Sequence, residues 1–376
     1  MSDGRPPITD NPPGSSRRDF LTGRALQQAV ATTGEAAVEA FVNALGEPEP
    51  RAYDTLRLET RAMATTWSVI LEPGAPERVM LASDALSLVH ELEGQLSVYR
   101  EDTDISRINR LEPGVPQALD PALHALLSQC LDLWRQTDGA FDIAVRALIL
   151  LWRQCREAGR IPSAAELTTA LKSTGSQHVR LDAANSTIAL DRPGVGLDLG
   201  AIGKGYAVDR AADVLMQSGM TDFVLHGGFS SVLASGDHGG QGGWPIGLKN
   251  PLFTEERYAT LLLRNQALAT SGSNIQYFRH QGRRYGHLLD PRTGWPADTL
   301  LSVSVIAPTA AQADALSTAF YVMGLEKAAA WCHNRPEIGA LLVPAPTHGR
   351  ELAPVLCNIP AEVLYFAPGA RQPATK

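Results

Sequence analysis

No uninterrupted apolar run in these 376 residues approaches the 18 or so needed to cross a bilayer, so no transmembrane helix is expected. Cysteine is scarce as well. Cys130, Cys155, Cys332 and Cys357 are scattered, with no C-x-x-C pair and no metal-like spacing, which favours plain core or surface thiols over bridges. A basic surplus is also missing. Lys and Arg number 33 against 40 Asp and Glu, for a net charge of −7, which speaks against non-specific nucleic-acid binding but leaves room for a local phosphate pocket. With 44% hydrophobic and 19% charged residues the chain has the composition of an ordinary globular protein, neither disordered nor fibrous. Its length suits two average domains or one large α/β domain.

The N-terminal region stands apart. Pro6, Pro7, Pro12, Pro13 and Gly14 predict disorder over residues 1–15. Ser16-Arg17-Arg18-Asp19-Phe20-Leu21 is similar to the twin-arginine export signature. An export signal needs an apolar stretch directly after it, and here Arg24, Gln27, Gln28 and Glu35 interrupt that stretch. Leu26 to Leu45 reads as a polar, Ala-rich amphipathic helix, so a vestigial or partner-binding arm is the alternative to a signal. A cytoplasmic location is slightly favoured on these grounds. Glu47-Pro48-Glu49-Pro50 has linker composition. The boundaries expected are therefore an arm over 1–50, a folded body over 51–366 and a loose tail over 367–376.

Within the body, alternation around Leu56, Leu58 and Ala62, followed by Trp67 to Leu71, predicts a strand pair or one bent strand. Apolar residues at helical spacing predict helices over 76–96 and 120–136. Val179 to Leu181 and Thr187 to Leu190 predict a hairpin turning at Ala184-Asn185. Gly196 to Leu199 is expected as a short strand, followed by a helix from Ala201 to Gln217 that stops at Ser218-Gly219. Further strands are expected at Phe223, Pro245, Thr260 and Ser302. A last helix is expected over Ala310–Met323, with Thr309 and Gln312 as a capping box. Irregular alternation of this kind indicates α+β or a mixed α/β sheet.

Four segments carry more than packing. Leu197 to Asp209 (LDLGAIGKGYAVD) reads as a strand, a glycine turn and a helix start, where free amides and Lys204 suit a phosphate. It is not a Walker A loop, because Asp198 and Gly205 occupy the positions of its first glycine and its hydroxyl, and a plain tight turn remains the alternative. Asp314 and Thr318, an i, i+4 pair on a helix, present a carboxylate and a hydroxyl on one face, an oxygen set that suits Mg²⁺. The competing explanation is an acid placed near a helix start. Gly286 to Gly294 holds His287 and Asp290, a candidate general base and its orienting acid, although a lone histidine is more often structural. Just upstream lies the polar loop Thr270-Ser271-Gly272. Thr137-Asp-Gly-Ala-Phe-Asp142 is a helix end and turn with an aromatic and two acids.

These segments together resemble the ApbE family of Mg²⁺-dependent FAD:protein FMN transferases. The likeness runs from about Ala62 to Gly324 and adds Met63-Ala-Thr-Thr-Trp67, Leu96 to Tyr99, Ile105 to Asn109 and His226-Gly227-Gly228 to the segments above. It implies a single α/β domain of mixed sheet related to the T-fold class, preceded by a flexible arm. It implies metal ligation by Asp314, Thr318 and the Ala201 carbonyl, and flavin or adenine contacts from Met63, Tyr99, Ala140, Phe141, Asp142 and Lys204. Gly227, Gly228, Thr270, Ser271 and Gly272 join that FAD-binding set. His287, with Asp290, takes the catalytic position. The substrate implied is FAD with Mg²⁺, and the partner is an acceptor protein of a redox complex whose Ser or Thr hydroxyl receives FMN. Ser273-Asn-Ile-Gln-Tyr277 departs from the family's frequent Asp-Tyr in a loop that the resemblance assigns to the adenosine end. An exported location is the family-based alternative, though no lipobox cysteine stands near the start. Hydrolysis of FAD to FMN and AMP, or flavin binding without turnover, are the rival activities.

Overall fold

The computed structural model of the chain describes residues 55–272, 277–346 and 349–367, all inside the unit that runs from Tyr53 to Lys376. The expected arm over 1–50, its twin-arginine-like start, the tail from residue 368 and the departure at 273–276 lie outside the described residues.

The first strands form a hairpin, β1 (Leu56–Ala62) with β2 (Thr65–Leu71). Next come α1 (Glu77–Leu96), a short α2 (Asp104–Ile108), β3 (Gln117–Ala118) and α3 (Pro121–Gln136). Helices α4 (Arg146–Glu157) and α5 (Ala164–Lys172) lead to the hairpin β4 (Val179–Asp182) and β5 (Thr187–Leu190). Helix α6 (Gly203–Gln217) precedes β6 (Phe223–Gly227), β7 (Ser231–Ser235), β8 (Trp244–Lys249), β9 (Arg257–Leu263) and β10 (Gln266–Gly272). A small hairpin, β11 (Tyr277–His280) and β12 (Arg283–Gly286), is followed by β13 (Leu300–Ala307), α7 (Ala310–Met323) and α8 (Leu325–His333). The described chain ends with β14 (Gly339–Pro344), β15 (Val355–Cys357) and β16 (Leu364–Phe366).

The fold is α+β around one antiparallel eight-stranded sheet, ordered β1-β2-β6-β7-β10-β13-β14-β15. Because side chains alternate along a strand, its two faces serve two cores. Trp67, Val69, Leu225, Ala267, Ala269, Val303 and Val305 pack under the helices. Val224, Val232, Leu268, Ile306 and Leu341 pack against the small sheet β16-β9-β8. Helix α6 contacts β6 and β7, while α7 covers β7, β10 and β13. The β1–β2 turn, the β6–β7 turn and the end of β10 fall at the same end of the sheet, through the pairs Trp67–Gly227, Gly227–Ser231 and Ser231–Ala269. All four cysteines are free, three of them buried.

Three expectations need correction. Leu197 to Leu199 is not a strand, because its backbone partners are not on one. The Asn109 side chain accepts from the Leu197 N–H at 2.6 Å and donates to the Leu197 carbonyl at 2.9 Å, and the Asp198 N–H donates to the Ile143 carbonyl. Helix α6 starts at Gly203, two residues later than expected, after a turn in which the Ile202 and Gly203 N–H groups both donate to Leu199. Thr309 caps α7 by accepting from the Gln312 N–H, but Asp209, not Gln312, completes the cap. Its two oxygens accept from the N–H groups of Ala310 and Ala311 at 2.7 and 2.9 Å. Burial pushes the Asp209 carboxyl up to about 6, against the pull of those two donors.

Asp209 and Gly205 together fasten α6 to the start of α7. A Cβ on Gly205 would lie 2.1 Å from the Ala310 carbonyl oxygen, whereas one on Gly203 would meet only the Leu199 side chain at 3.7 Å. Gly205→Ala is therefore expected to destabilise by about 2 kcal/mol or more through forced separation of the two helices. Gly203→Ala is expected to be neutral or slightly stabilising. Urea unfolding of the two variants side by side checks the difference, and equal losses would contradict it.

Candidate active site

The Asp314 side chain is buried where α6, α7 and β7 meet. Its Oδ2 accepts from the Gly205 N–H at 2.7 Å and its Oδ1 from the Ser231 hydroxyl at 2.6 Å. Gly205 stands in the first turn of α6, where an N–H has no intrahelical partner, and its N–H points to Asp314 instead. One turn further along α7, Ser317 and Thr318 stand over the end of β10. The Ser271 hydroxyl lies 2.8 Å from that of Ser317 and 3.2 Å from that of Thr318. A carboxylate and several hydroxyls thus converge, and Lys204 is the cation that Asp314 feels most strongly.

Burial pushes the Asp314 carboxyl up, and Lys204, Ser231 and the Gly205 N–H pull it back without cancelling the effect. Two charge-assisted bonds contribute about 1.5–3 kcal/mol each. Removing a carboxylate from water costs several kcal/mol. The direction of the shift says that burial outweighs these three contacts. All the donors here are oxygens, a set suited to a hard divalent cation. Among the described residues no group of three or more His, Cys, Asp or Glu side chains forms a conventional metal cage. A cation here would depend on one carboxylate supplemented by neutral oxygens.

The neighbouring turns complete the rim. Met63 and Ala64 close the β1–β2 hairpin with φ of 49° and 58°, a two-residue turn that normally takes Asn-Gly. Holding two ordinary residues there costs on the order of 1 kcal/mol each, and such strain concentrates at functional sites. Gly228, at φ 70°, lies so close to this hairpin that a Cβ would sit 2.7 Å from the Thr65 hydroxyl oxygen. A Cβ on Gly227 would collide with Trp67 and Val208 at 2.9 Å. Both glycines are thus required sterically. Thr270 bonds Ser304 on the opposite face of β10 from Ser271, and Gly272 ends that strand. Tyr99 is 74% exposed, with Arg153 over its ring at 5.1 Å.

Other segments turn out to be braces. Ala140 and Phe141 are buried. The Asp142 carboxylate accepts from the Ala144 N–H and from both the hydroxyl and the N–H of Ser176, while burial pushes it up. The turn after His287 is clamped by Asp290. Asp290 accepts from the backbone N–H and the guanidinium of Arg292, and its own carbonyl accepts from Gly294. Arg292 lies against Gly139, which joins this turn to the Thr137–Asp142 segment. Trp152 ties it to α4 through a 2.7 Å bond to the Gly294 carbonyl. His287 is exposed just beyond β12. His226 differs: burial in the sheet pushes it down to about 4, so it is neutral near pH 7.

Sequence reasoning missed Ser231, Ser317 and Asp209 as parts of this centre. Ser231 stands two residues before buried Leu233, so a period of two assigns it to the helix-covered face, but only once the strand start is known. For Asp209 the signal was a carboxylate one and a half turns into an otherwise apolar helix face.

The fold and the oxygen-lined centre define a class of α+β protein that holds a buried carboxylate beside a glycine turn at a helix start. The model of the ApbE family matches residues 63–342, and the chain belongs to that family. It is 33% identical over 266 residues to the FAD:protein FMN transferase of Klebsiella pneumoniae (strain 342), covering 70% of this chain and 82% of that protein. Likeness to the FAD:protein FMN transferase of Treponema pallidum (strain Nichols) is 30% over 312 residues, or 79% and 86% of the two chains. Among solved structures, the ApbE protein of Thermotoga maritima superposes with a TM-score of 0.71 at 32% identity, covering 77% of this chain and 94% of that one. The flavin transferase ApbE from Vibrio cholerae gives 0.71 at 28% identity, covering 81% and 97%.

Asp314→Asn discriminates a functional carboxylate from a structural one. The amide oxygen can accept from Gly205 and the amide N–H can donate to Ser231, so both partners stay satisfied. The variant is expected to unfold at the same temperature as the parent or higher, because a costly buried charge is gone. A clear drop in the thermal midpoint would make Asp314 a structural residue.

Proposed function

We propose that the chain is a Mg²⁺-dependent FAD:protein FMN transferase, which joins FMN through a phosphodiester to a Ser or Thr hydroxyl of an acceptor protein and releases AMP. The observation that carries this is the centre built on Asp314, a buried and only partly compensated carboxylate that shares its surroundings with the hydroxyls of Ser231, Ser271, Ser317 and Thr318, which fits a divalent cation beside a helix start. Asp314, Thr318 and the Ala201 carbonyl would hold Mg²⁺, with Ser231 fixing the carboxylate from behind. When bound, the ion supplies positive charge against the pyrophosphate of FAD.

The protein's own groups supply the rest. The amides at the start of α6 and the Lys204 ammonium receive the phosphates. Met63 and Tyr99 contact the flavin or adenine rings from the rim, and Ala140, Phe141 and Asp142 support the pocket as a buried brace. Gly227 and Gly228 let the ligand approach the backbone, and Thr270, Ser271 and Gly272 bound the pocket on the β10 side. His287 removes the proton from the acceptor hydroxyl as the oxygen attacks the FMN-side phosphorus. The bond between that phosphorus and the bridging oxygen breaks, and the electron pair leaves with AMP. Asp290 serves as a positioning residue, because its grip on Arg292 fixes the turn that carries His287. The acceptor is a subunit of an electron-transfer complex.

Incubation of the purified protein with FAD, Mg²⁺ and a candidate acceptor domain tests this. A fluorescent acceptor band on a denaturing gel is expected, absent with EDTA and absent with Asp314→Ala. Release of FMN and AMP into solution with no labelled band would instead make the chain an FAD hydrolase. Full labelling by Asp314→Ala would remove the metal assignment.

A further inference from the structure

Helix α8 packs on the last two strands of the main sheet, β14 and the edge strand β15. Alternation along β15 sends Val355 and Cys357 to the helix-covered core and Leu356 to the core on the other face. Cys332 stands in the last turn of α8, fully buried in that same helix-covered core. The residue after Cys357 fixes the two segments together. The Asn358 side-chain amide donates to the carbonyls of Cys332, Arg335 and Ile338 at 2.9, 3.1 and 3.0 Å, across the C-terminal end of α8. Asn358 does this at φ 52°, a left-handed conformation in which asparagine is enriched. Cys357 is thereby set beside Cys332 on the covered side of its strand.

The two thiols differ in the way an exchange reaction needs. They are reduced and hydrogen-bonded to each other. Cys357 is half-buried at the sheet edge, whereas Cys332 has no solvent access. The bond from Cys332 pulls the Cys357 thiol below its ordinary range, against the effect of burial, and the same bond together with burial pushes Cys332 up. A thiolate is the attacking species in thiol–disulfide exchange, and access decides which cysteine meets the oxidant. Cys130 of α3 and Cys155 of α4 have neither advantage, since both are buried and burial pushes both thiols up.

We propose that Cys332 and Cys357 are a redox-active pair that closes into a disulfide between α8 and the edge strand β15. The oxidant is a small-molecule disulfide. The Cys357 thiolate attacks one of its sulfurs, which forms a mixed disulfide and expels one thiolate. The Cys332 thiol then gives up its proton and attacks the Cys357 sulfur, and the second thiolate leaves. The pair loses two electrons and two protons, and the oxidant becomes two thiols. The bridge closes the loop from 332 to 357, so it restricts the unfolded chain and holds α8 on the sheet. Helix α8 packs in turn on α7, with the Phe320 and Trp331 rings 5.2 Å apart, and α7 carries Asp314. An oxidising compartment keeps the bridge closed and a reducing one keeps it open. The pair acts independently of FMN transfer.

The test uses the full chain, incubated in parallel with oxidised glutathione and with dithiothreitol, then denatured and alkylated. All four cysteines should be alkylated in the reduced sample, and only Cys130 and Cys155 in the oxidised one. A digest of the oxidised protein should contain the Cys332 peptide joined to the Cys357 peptide. Its thermal midpoint should rise by a few degrees, and dithiothreitol should remove the gain. Cys332→Ser should stop at a mixed disulfide with glutathione on Cys357, whereas Cys357→Ser should keep its remaining thiols. Alkylation of all four cysteines after oxidation overturns the proposal, as does a joined peptide that contains Cys130 or Cys155. A Cys332→Ser protein that carries no glutathione overturns the assigned order of attack.

Discussion

One carboxylate holds this site together. Asp314 takes the N–H of Gly205 from α6 and the hydroxyl of Ser231 from β7, so two helices and the central sheet meet at its oxygens. The Gly205 N–H, which has no intrahelical partner in the first turn of α6, finds one in Asp314. The close approach that makes it possible requires a hydrogen in place of a side chain at Gly205, where α6 touches the backbone of α7. Asp209, one turn along α6, repeats the device from the other side by capping α7. Two buried acids thus cross-link one pair of helices, and burial raises the pKa of both.

The energetic sense of the arrangement lies in what it leaves unbalanced. A fold selected for stability alone would replace a buried, partly compensated carboxylate with an apolar group, often at a gain. The positive-φ strain at Met63 and at Ala64 adds further local losses, on residues that the ApbE family match includes. Packing elsewhere over-determines the structure and absorbs them. The Trp152 cluster anchors the hairpin β11–β12 and the turn after His287, and Trp67 fills the space that Gly227 leaves. Rigid surroundings with unbalanced groups at one end of a sheet are what a ligand site requires.

Most elements were legible because local physics decides them. Alternation gave β2 and β13, helical spacing gave α1 and α3, and Thr309 marked the start of α7. What stayed hidden depends on contacts between distant residues. Leu197 to Leu199 has strand composition, yet the Asn109 side chain supplies its pairing from 88 residues away. Gln312 stands where a capping box would put it, and the first two α7 amides, those of Ala310 and Ala311, are taken by Asp209 from another helix. In the site, Asp314 and Thr318 followed from helix spacing, and the Ala201 carbonyl came only through family likeness. Ser231 was invisible because strand register, not sequence spacing, sets it beside Asp314. Asp142 and Asp290 were recognisable as acids in special turns, but only the fold shows that Ser176 and Arg292 occupy their oxygens.

The central claim is that Asp314 is a partly compensated carboxylate proposed to hold a divalent cation that binds together with FAD. Thermal unfolding with FAD present, with and without added Mg²⁺, tests it most directly in the parent and in Asp314→Asn. The account predicts that Mg²⁺ raises the midpoint of the parent by several degrees, roughly as expected for a ligand at a hundred times its Kd, and leaves the variant unmoved. An equal Mg²⁺ response in both proteins would contradict it.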